Sequence, residues 1–193
     1  MADRTRYYKE AVEFIQASGK RGPVSTCVLG NVNIDVDMKK VDMTKLDLDR
    51  SLPTLSYQYD ILWLGPEVQM FFETPLMLTT LLEFTNDYLL PGGLLLGITP
   101  DGGELLSLFT RSNEIKIGHS FYTKSIDLDR NMPYGSAYVV SDGKHKKGDK
   151  RYLFDYSELV GMGKEYGLVG LGQKKVKKED VNTFYVLYKP VNK

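Results

Sequence analysis

The chain has 193 residues, 42% of them hydrophobic, which suits one globular domain with a proper core, since a domain of this size buries about 70% of the surface its unfolded chain exposes. Lys plus Arg and Asp plus Glu both number 25, so the formal net charge is zero and no global field draws the chain to nucleic acid or to a membrane. A single cysteine, Cys27, excludes an intrachain disulfide and a Cys-rich zinc site, and it points to a reducing compartment, cytoplasm or nucleus. No window approaches the roughly 18 apolar residues of a membrane span and the N-terminus has no signal-like run, so a soluble protein with no membrane contact is expected.

In chain order, Glu10 to Ala17 combines apolar residues with good helix formers, and Ser18-Gly19-Lys20-Arg21-Gly22-Pro23 then breaks the helix. Val24 to Leu29 reads as a buried strand, and the polar, Asp-rich stretch from Asn31 to Arg50 as an excursion over the surface. Tyr59 to Leu64 is a second buried strand. Pro75 occupies a favourable first-turn position, and Leu76 to Leu90 follows on a helical period until Pro91-Gly92-Gly93 ends it. Leu94 to Ile98 is too short for a helix and reads as a strand buried on both faces, so strand, helix, strand implies a parallel pair. Glu104 to Phe109 is a short helix, and Ile115 to Phe121 and Ser136 to Val140 are strand candidates in a Gly, Asp and Lys rich region. Phe154 to Tyr166 is a helix closed by Gly167, and Thr183 to Tyr188 is a final strand. The class is α/β, with one domain over residues 1–193 and an insert-like region at about 112–151.

Several segments stand out together: Leu90-Pro91-Gly92-Gly93 and Gly97-Ile98-Thr99-Pro100-Asp101-Gly102, then Asn113-Glu114-Ile115, Tyr134-Gly135-Ser136-Ala137-Tyr138 and Tyr152-Leu153-Phe154. Lys164-Glu165-Tyr166-Gly167-Leu168 and Thr183-Phe184-Tyr185-Val186-Leu187-Tyr188 follow them. In this order and spacing they resemble the mRNA cap (guanine-N7) methyltransferases, and Arg4-Thr5-Arg6-Tyr7 resembles the helix after that family's second strand. The resemblance implies a reduced Rossmann-like class I methyltransferase fold, with a mainly parallel sheet and an antiparallel C-terminal strand. It also implies that the first two strands, the glycine-rich turn and the acidic residue that hold S-adenosylmethionine are missing. Val28 to Asp35 is not read as that turn, because one glycine cannot do the work of three and no helix follows.

Positions that carry chemistry in the family are altered here. Gly65, Gln69 and Met70 stand where the resemblance places a Gln and the His-Tyr pair lining the guanine. Asn31 stands at the donor's acidic position, and Arg151 replaces the Glu on the guanine edge, while Tyr185 survives. No catalytic residue and no metal ligand is assigned. His119 and His145 have no second ligand at metal spacing. Lys144, Lys146, Lys147 and Lys150, and separately Lys174 and Lys175, are basic clusters that could follow a phosphate backbone.

The leading expectation is a catalytically inactive relative acting as a binding, regulatory or structural subunit of a capping or RNA-processing complex. Its partner would be another protein or a second copy, and it would hold no cofactor of its own. Two alternatives stand beside it. One is an active fragment whose S-adenosylmethionine-binding half is missing or lies on another chain, and the other is an RNA-binding module. Loss of two strands would also leave Val24–Leu29 to pair directly with Ile61–Leu64, and would expose Ile61 and Trp63 as a partner site.

Overall fold

The computed structural model describes residues 2–30, 32, 34, 41–48, 51–117, 120–125, 128–129, 134–141, 148–177 and 181–191. In chain order the main elements are α1 (Ala2–Ala17), β1 (Val24–Leu29), β2 (Val41–Leu46), β3 (Tyr59–Leu64), a 3-10 helix (Pro66–Phe72), α2 (Pro75–Tyr88), β4 (Leu89–Pro100) and α3 (Gly102–Phe109). They continue with β5 (Glu114–Ile117), β6 (Ser120–Lys124), β7 (Ala137–Ser141), β8 (Asp149–Tyr152), α4 (Tyr156–Gly163), β9 (Val169–Lys175) and β10 (Asn182–Tyr188).

A six-stranded sheet runs in the order β2-β1-β3-β4-β10-β9. The first four strands are parallel, and β10 lies antiparallel between β4 and β9, as the sequence led one to expect. β1 does pair with β3, Thr26 opposite Ile61 and Leu29 opposite Leu64. The reason differs from the expected one. β2 flanks β1 on its other side, Val24 opposite Val41, so β1 is an interior strand rather than one stranded by the loss of neighbours. β2 was taken for surface excursion because Asp42 and Lys45 face outwards on an edge strand, which dilutes the apolar signal.

Helices cover the sheet on both faces. On one, α2, α4 and the 3-10 helix bury Leu62, Leu64, Leu95, Tyr185 and Leu187 beneath Phe71, Phe72, Leu78 and Leu82. On the other, α1 lies over β1, β3 and β4, with Tyr8 against Trp63 at 5.9 Å between ring centres. Trp63 and Ile61 are both 0% exposed, so the expected bare apolar face at these residues does not exist. The helix begins well before Glu10 and supplies the cover. Each fully buried large side chain of this kind contributes about 1.5–3 kcal/mol relative to exposure.

α2 starts at Pro75 with Thr74 capping Met77 N–H at 3.2 Å. It ends without Pro91-Gly92-Gly93, which instead form an irregular stretch inside β4, where Tyr59 pairs with Leu89 but Ile61 with Leu94. Gly92, at φ +86°, donates its N–H to Lys189 O at 2.7 Å, so the final strand takes up the backbone groups freed by the bulge.

A second, antiparallel sheet runs β5-β6-β7-β8 and packs one face on α3 through Tyr122, Tyr138 and Phe109. The expected single strand Ile115–Phe121 is therefore two paired strands, Lys116 opposite Phe121. Gly167, at φ +72°, closes the helical run after α4 as expected. Among the described residues no helix is long and apolar enough to cross a membrane.

Candidate functional site at the strand ends

In an open parallel sheet, ligands bind outside the carboxyl ends of the strands, where the strand order reverses. Here β1 continues to β2 on one side and the chain returns to β3 on the other, so that point lies between the ends of β1 and β3, at Gly30 and Gly65. The segment starting at Val28 that was set aside as a glycine turn therefore runs into the switch point after all. Asn31 belongs to it and falls outside the described residues.

At the switch point the described strand ends keep their ladders. Gly65 N–H donates to Leu29 O at 2.7 Å, and Gly30 N–H donates to Leu46 O at 2.8 Å, so neither strand end splays from its neighbour. Gly30 has φ +96°, and a Cβ there would overlap the Glu67 carboxylate, which lies directly against it. Pro66 opens the 3-10 helix that carries Glu67 into this place. Glu67 escaped the sequence reading, although Gly65-Pro66-Glu67 directly after a buried strand is a usable signal of a polar group turned back over strand ends.

The positions aligned with the guanine site gather beside it, on the α2 side of the sheet. Gln69 is buried and its side-chain amide donates to Pro100 O at 3.4 Å. Met70 is half-buried, and its carbonyl accepts Glu73 N–H at 3.4 Å. Tyr185 is fully buried over Gly97, where a Cβ would come within 2.6 Å of the Tyr185 hydroxyl and 2.5 Å of Leu64 O. Its ring packs on Phe154 at 4.9 Å, and Phe154 on Phe72 at 5.1 Å. The hydroxyls of Tyr185 and Thr99 are buried without a hydrogen-bond partner. Burial drives the Tyr138 and Tyr185 phenols far above the ordinary tyrosine range. Arg151, opposite Tyr138 on β8, pairs with Asp149 at 3.4 Å, placing a cation where the resemblance expects a carboxylate.

The Gly97–Gly102 segment has a full structural account. Gly97 admits the Tyr185 ring, Thr99 is buried, and the Asp101 side chain caps α3 through Glu104 N–H at 2.9 Å. Gly102 N–H donates to Phe154 O at 3.0 Å, with no room for a Cβ.

The described residues of the basic clusters lie on two different sheets. Lys150 lies on the small sheet with its ammonium 5.5 Å from the Tyr152 ring, whereas Lys174 and Lys175 lie on β9 of the main sheet, Lys175 paired with Glu104 at 2.9 Å. Lys144, Lys146, Lys147 and both histidine-bearing positions 119 and 145 fall outside the described residues. Among the described residues no group of three His, Cys, Asp or Glu side chains is placed to hold a metal ion. Cys27 is fully buried, and desolvation pushes its thiol up to about 11.

No family model matches the chain, and no curated protein matches it in sequence. Its fold does match solved structures. An S-adenosylmethionine-dependent methyltransferase from Clostridium acetobutylicum ATCC 824 aligns over 95% of this chain and 92% of its own at TM-score 0.53 and 13% identity. The CcbJ methyltransferase from Streptomyces caelestis aligns over 94% of each chain at TM-score 0.56 and 12% identity. CalS10, an amino pentose methyltransferase from Micromonospora echinaspora solved with S-adenosylmethionine bound, aligns over 96% and 91% at TM-score 0.53 and 9% identity. None of these is an mRNA cap enzyme. The chain thus has the α/β fold of Rossmann-like class I methyltransferases. It spans more than nine-tenths of each, so the expectation that half of the fold is missing finds no support.

Proposed function

We propose that this chain is a catalytically inactive relative of the mRNA cap guanine-N7 methyltransferases, serving as a binding, regulatory or structural subunit of a capping or RNA-processing assembly. One observation carries the reading: the Glu67 carboxylate lies against Gly30 at the end of β1, where even a Cβ would overlap it. A donor is held in such sheets where glycines let the backbone approach it. Here there is one glycine, and a carboxylate already fills the space beside it.

The acceptor side supports the same reading. Methyl transfer to a purine nitrogen depends mainly on holding donor and acceptor in line, so orienting groups supply most of the rate. Gln69 is engaged with a backbone carbonyl, the Tyr185 hydroxyl is enclosed in core, and Arg151 cannot accept the N–H bonds of a guanine edge. The link to capping rests on the sequence resemblance alone.

A second reading, an active S-adenosylmethionine-dependent methyltransferase, is favoured by the near-complete alignment with such enzymes, one of them donor-bound. Calorimetric titration with S-adenosylmethionine and with a cap dinucleotide separates the two. The expected result is no saturable heat with the donor at millimolar concentration and no labelled methyl transfer to capped RNA above the no-enzyme blank. Donor binding with turnover would establish the second reading instead. Gln69→His with Met70→Tyr should leave the chain inactive, because transition-state contacts cannot act on a donor that is not held.

A further inference from the structure

The two faces of the sheet are finished differently at its β9 edge. On the α4 side, Gly170 lies under Val160 and Tyr156, and the Tyr156 hydroxyl bonds Gly172 N–H at 2.8 Å and Val186 O at 3.3 Å. On the α1 side the cover stops at β10, where Tyr7 stacks on Phe184 at 4.2 Å and Phe14 meets Tyr188 at 6.1 Å. Beyond them lies a groove of about 370 Å³ with Phe184 and Val186 in its floor and Leu171 on its far wall. Among the described residues two of the six exposed large hydrophobic side chains line it: Phe14 at 46% and Leu171 at 53% exposure. Exposed apolar side chains gathered in this way mark an interaction surface.

The near wall is Tyr7, Glu10, Ala11 and Phe14, spaced i, i+3, i+4, i+7 along α1. That is the stripe by which one helix meets another, and α/β layers place helices side by side over a sheet. The charges of the groove point to the chemistry of the occupant. Glu10 is neutralised by Arg6 at 2.9 Å and Lys175 by Glu104 at 2.9 Å, whereas Lys174 has no carboxylate partner among the described residues.

We propose that this groove docks an acidic amphipathic helix of a partner protein, with apolar side chains at i, i+3, i+4 and i+7 on Leu171, Phe14 and Val186 and a carboxylate on Lys174. The inference deepens the reading of the chain as a partner-binding subunit and rests on it.

The test is fluorescence anisotropy of the full chain with a labelled helical peptide of about four turns, bearing leucines at that spacing and flanking glutamates. Its controls are a scrambled peptide of the same composition and one with lysines in place of the glutamates. Saturable binding of the acidic peptide alone is expected, weakened about tenfold or more by Leu171→Ser. Lys174→Glu should weaken the acidic peptide and confer binding of the lysine peptide. Both variants change exposed residues, and circular dichroism confirms their fold. No saturable binding, equal binding of the scrambled peptide, or indifference to Leu171→Ser overturns the proposal, as does a dimer in light scattering that Leu171→Ser dissolves. Donor turnover together with peptide binding would overturn the catalytic reading and leave the groove assigned.

Discussion

The strand ends at Gly30 and Gly65 and the α1-side face of β9 belong to one sheet, yet the first is filled and the second is bare. Among the described residues, the Gly30 surface meets the Glu67 carboxylate and the Gly97 surface meets the Tyr185 ring. At β9, Leu171 stands half in water beside a helix that covers only its neighbours. One sheet thus carries side chains packed against its strand ends and an apolar side chain left open at its flank. Surface free to bind therefore lies away from the aligned site positions.

The contrast is sharpened by substitutions that should be severe in the closed part and silent in the open one. Trp63→Ala, beneath α1 and Phe184, should cost about 4 kcal/mol in urea unfolding, since a fully buried indole leaves a cavity that its neighbours cannot close. Gly97→Ala should cost about 2 kcal/mol by the same measurement, because its methyl group meets Leu64 O and the Tyr185 hydroxyl. A wild-type midpoint for Gly97→Ala would mean that the Tyr185 ring is free to move and that the site is not filled.

Two buried phenols then test which polar contacts matter. Tyr8 and Thr26 share a buried hydrogen bond at 2.6 Å, so Tyr8→Phe should cost about 1 kcal/mol by orphaning the threonine hydroxyl. Desolvation by burial pushes the Tyr8 phenol up to about 12 from an ordinary 10, the Thr26 bond opposing the shift. The folded state thus holds this proton more tightly than the unfolded chain. The stability it confers is complete below about pH 10 and is lost as pH rises towards 12. Circular dichroism between these limits should show a shallower decline in Tyr8→Phe. Tyr185→Phe removes a hydroxyl that has no partner, and its unfolding midpoint should stay level or rise slightly. Smallest of all, Leu171→Ser should leave unfolding within about 0.5 kcal/mol of the parent while weakening helix docking about tenfold or more.

Much of the fold was legible where periodicity and punctuation agree. Thr74-Pro75 starts α2 where expected, the β4 core at Leu94–Ile98 is a continuous apolar run, and Gly167 stops the chain after α4 in the left-handed conformation. The elements missed share a cause. β2, β8 and β9 are edge strands, and their Lys, Asp and Gly residues answer to solvent on at least one side, so their patterns read as loop. Of the site, the resemblance led to Gln69, Arg151 and Tyr185, which meet Pro100 O, Asp149 and Phe154 respectively. It did not lead to Glu67, whose role depends on meeting Gly30 from a different strand end.

The sequence by itself determined the α/β class and the parallel core with its antiparallel last strand, because those follow from local pattern and residue chemistry. Only the tertiary structure decided which strands are neighbours, and hence that β1 is interior, that Trp63 is covered and that β9 is not. Burial is a property of what lies opposite. Trp63 is sheltered by Tyr8, 55 positions earlier in the chain, and Leu171 is left open because α1 stops at β10 and α4 covers β9 from the opposite face.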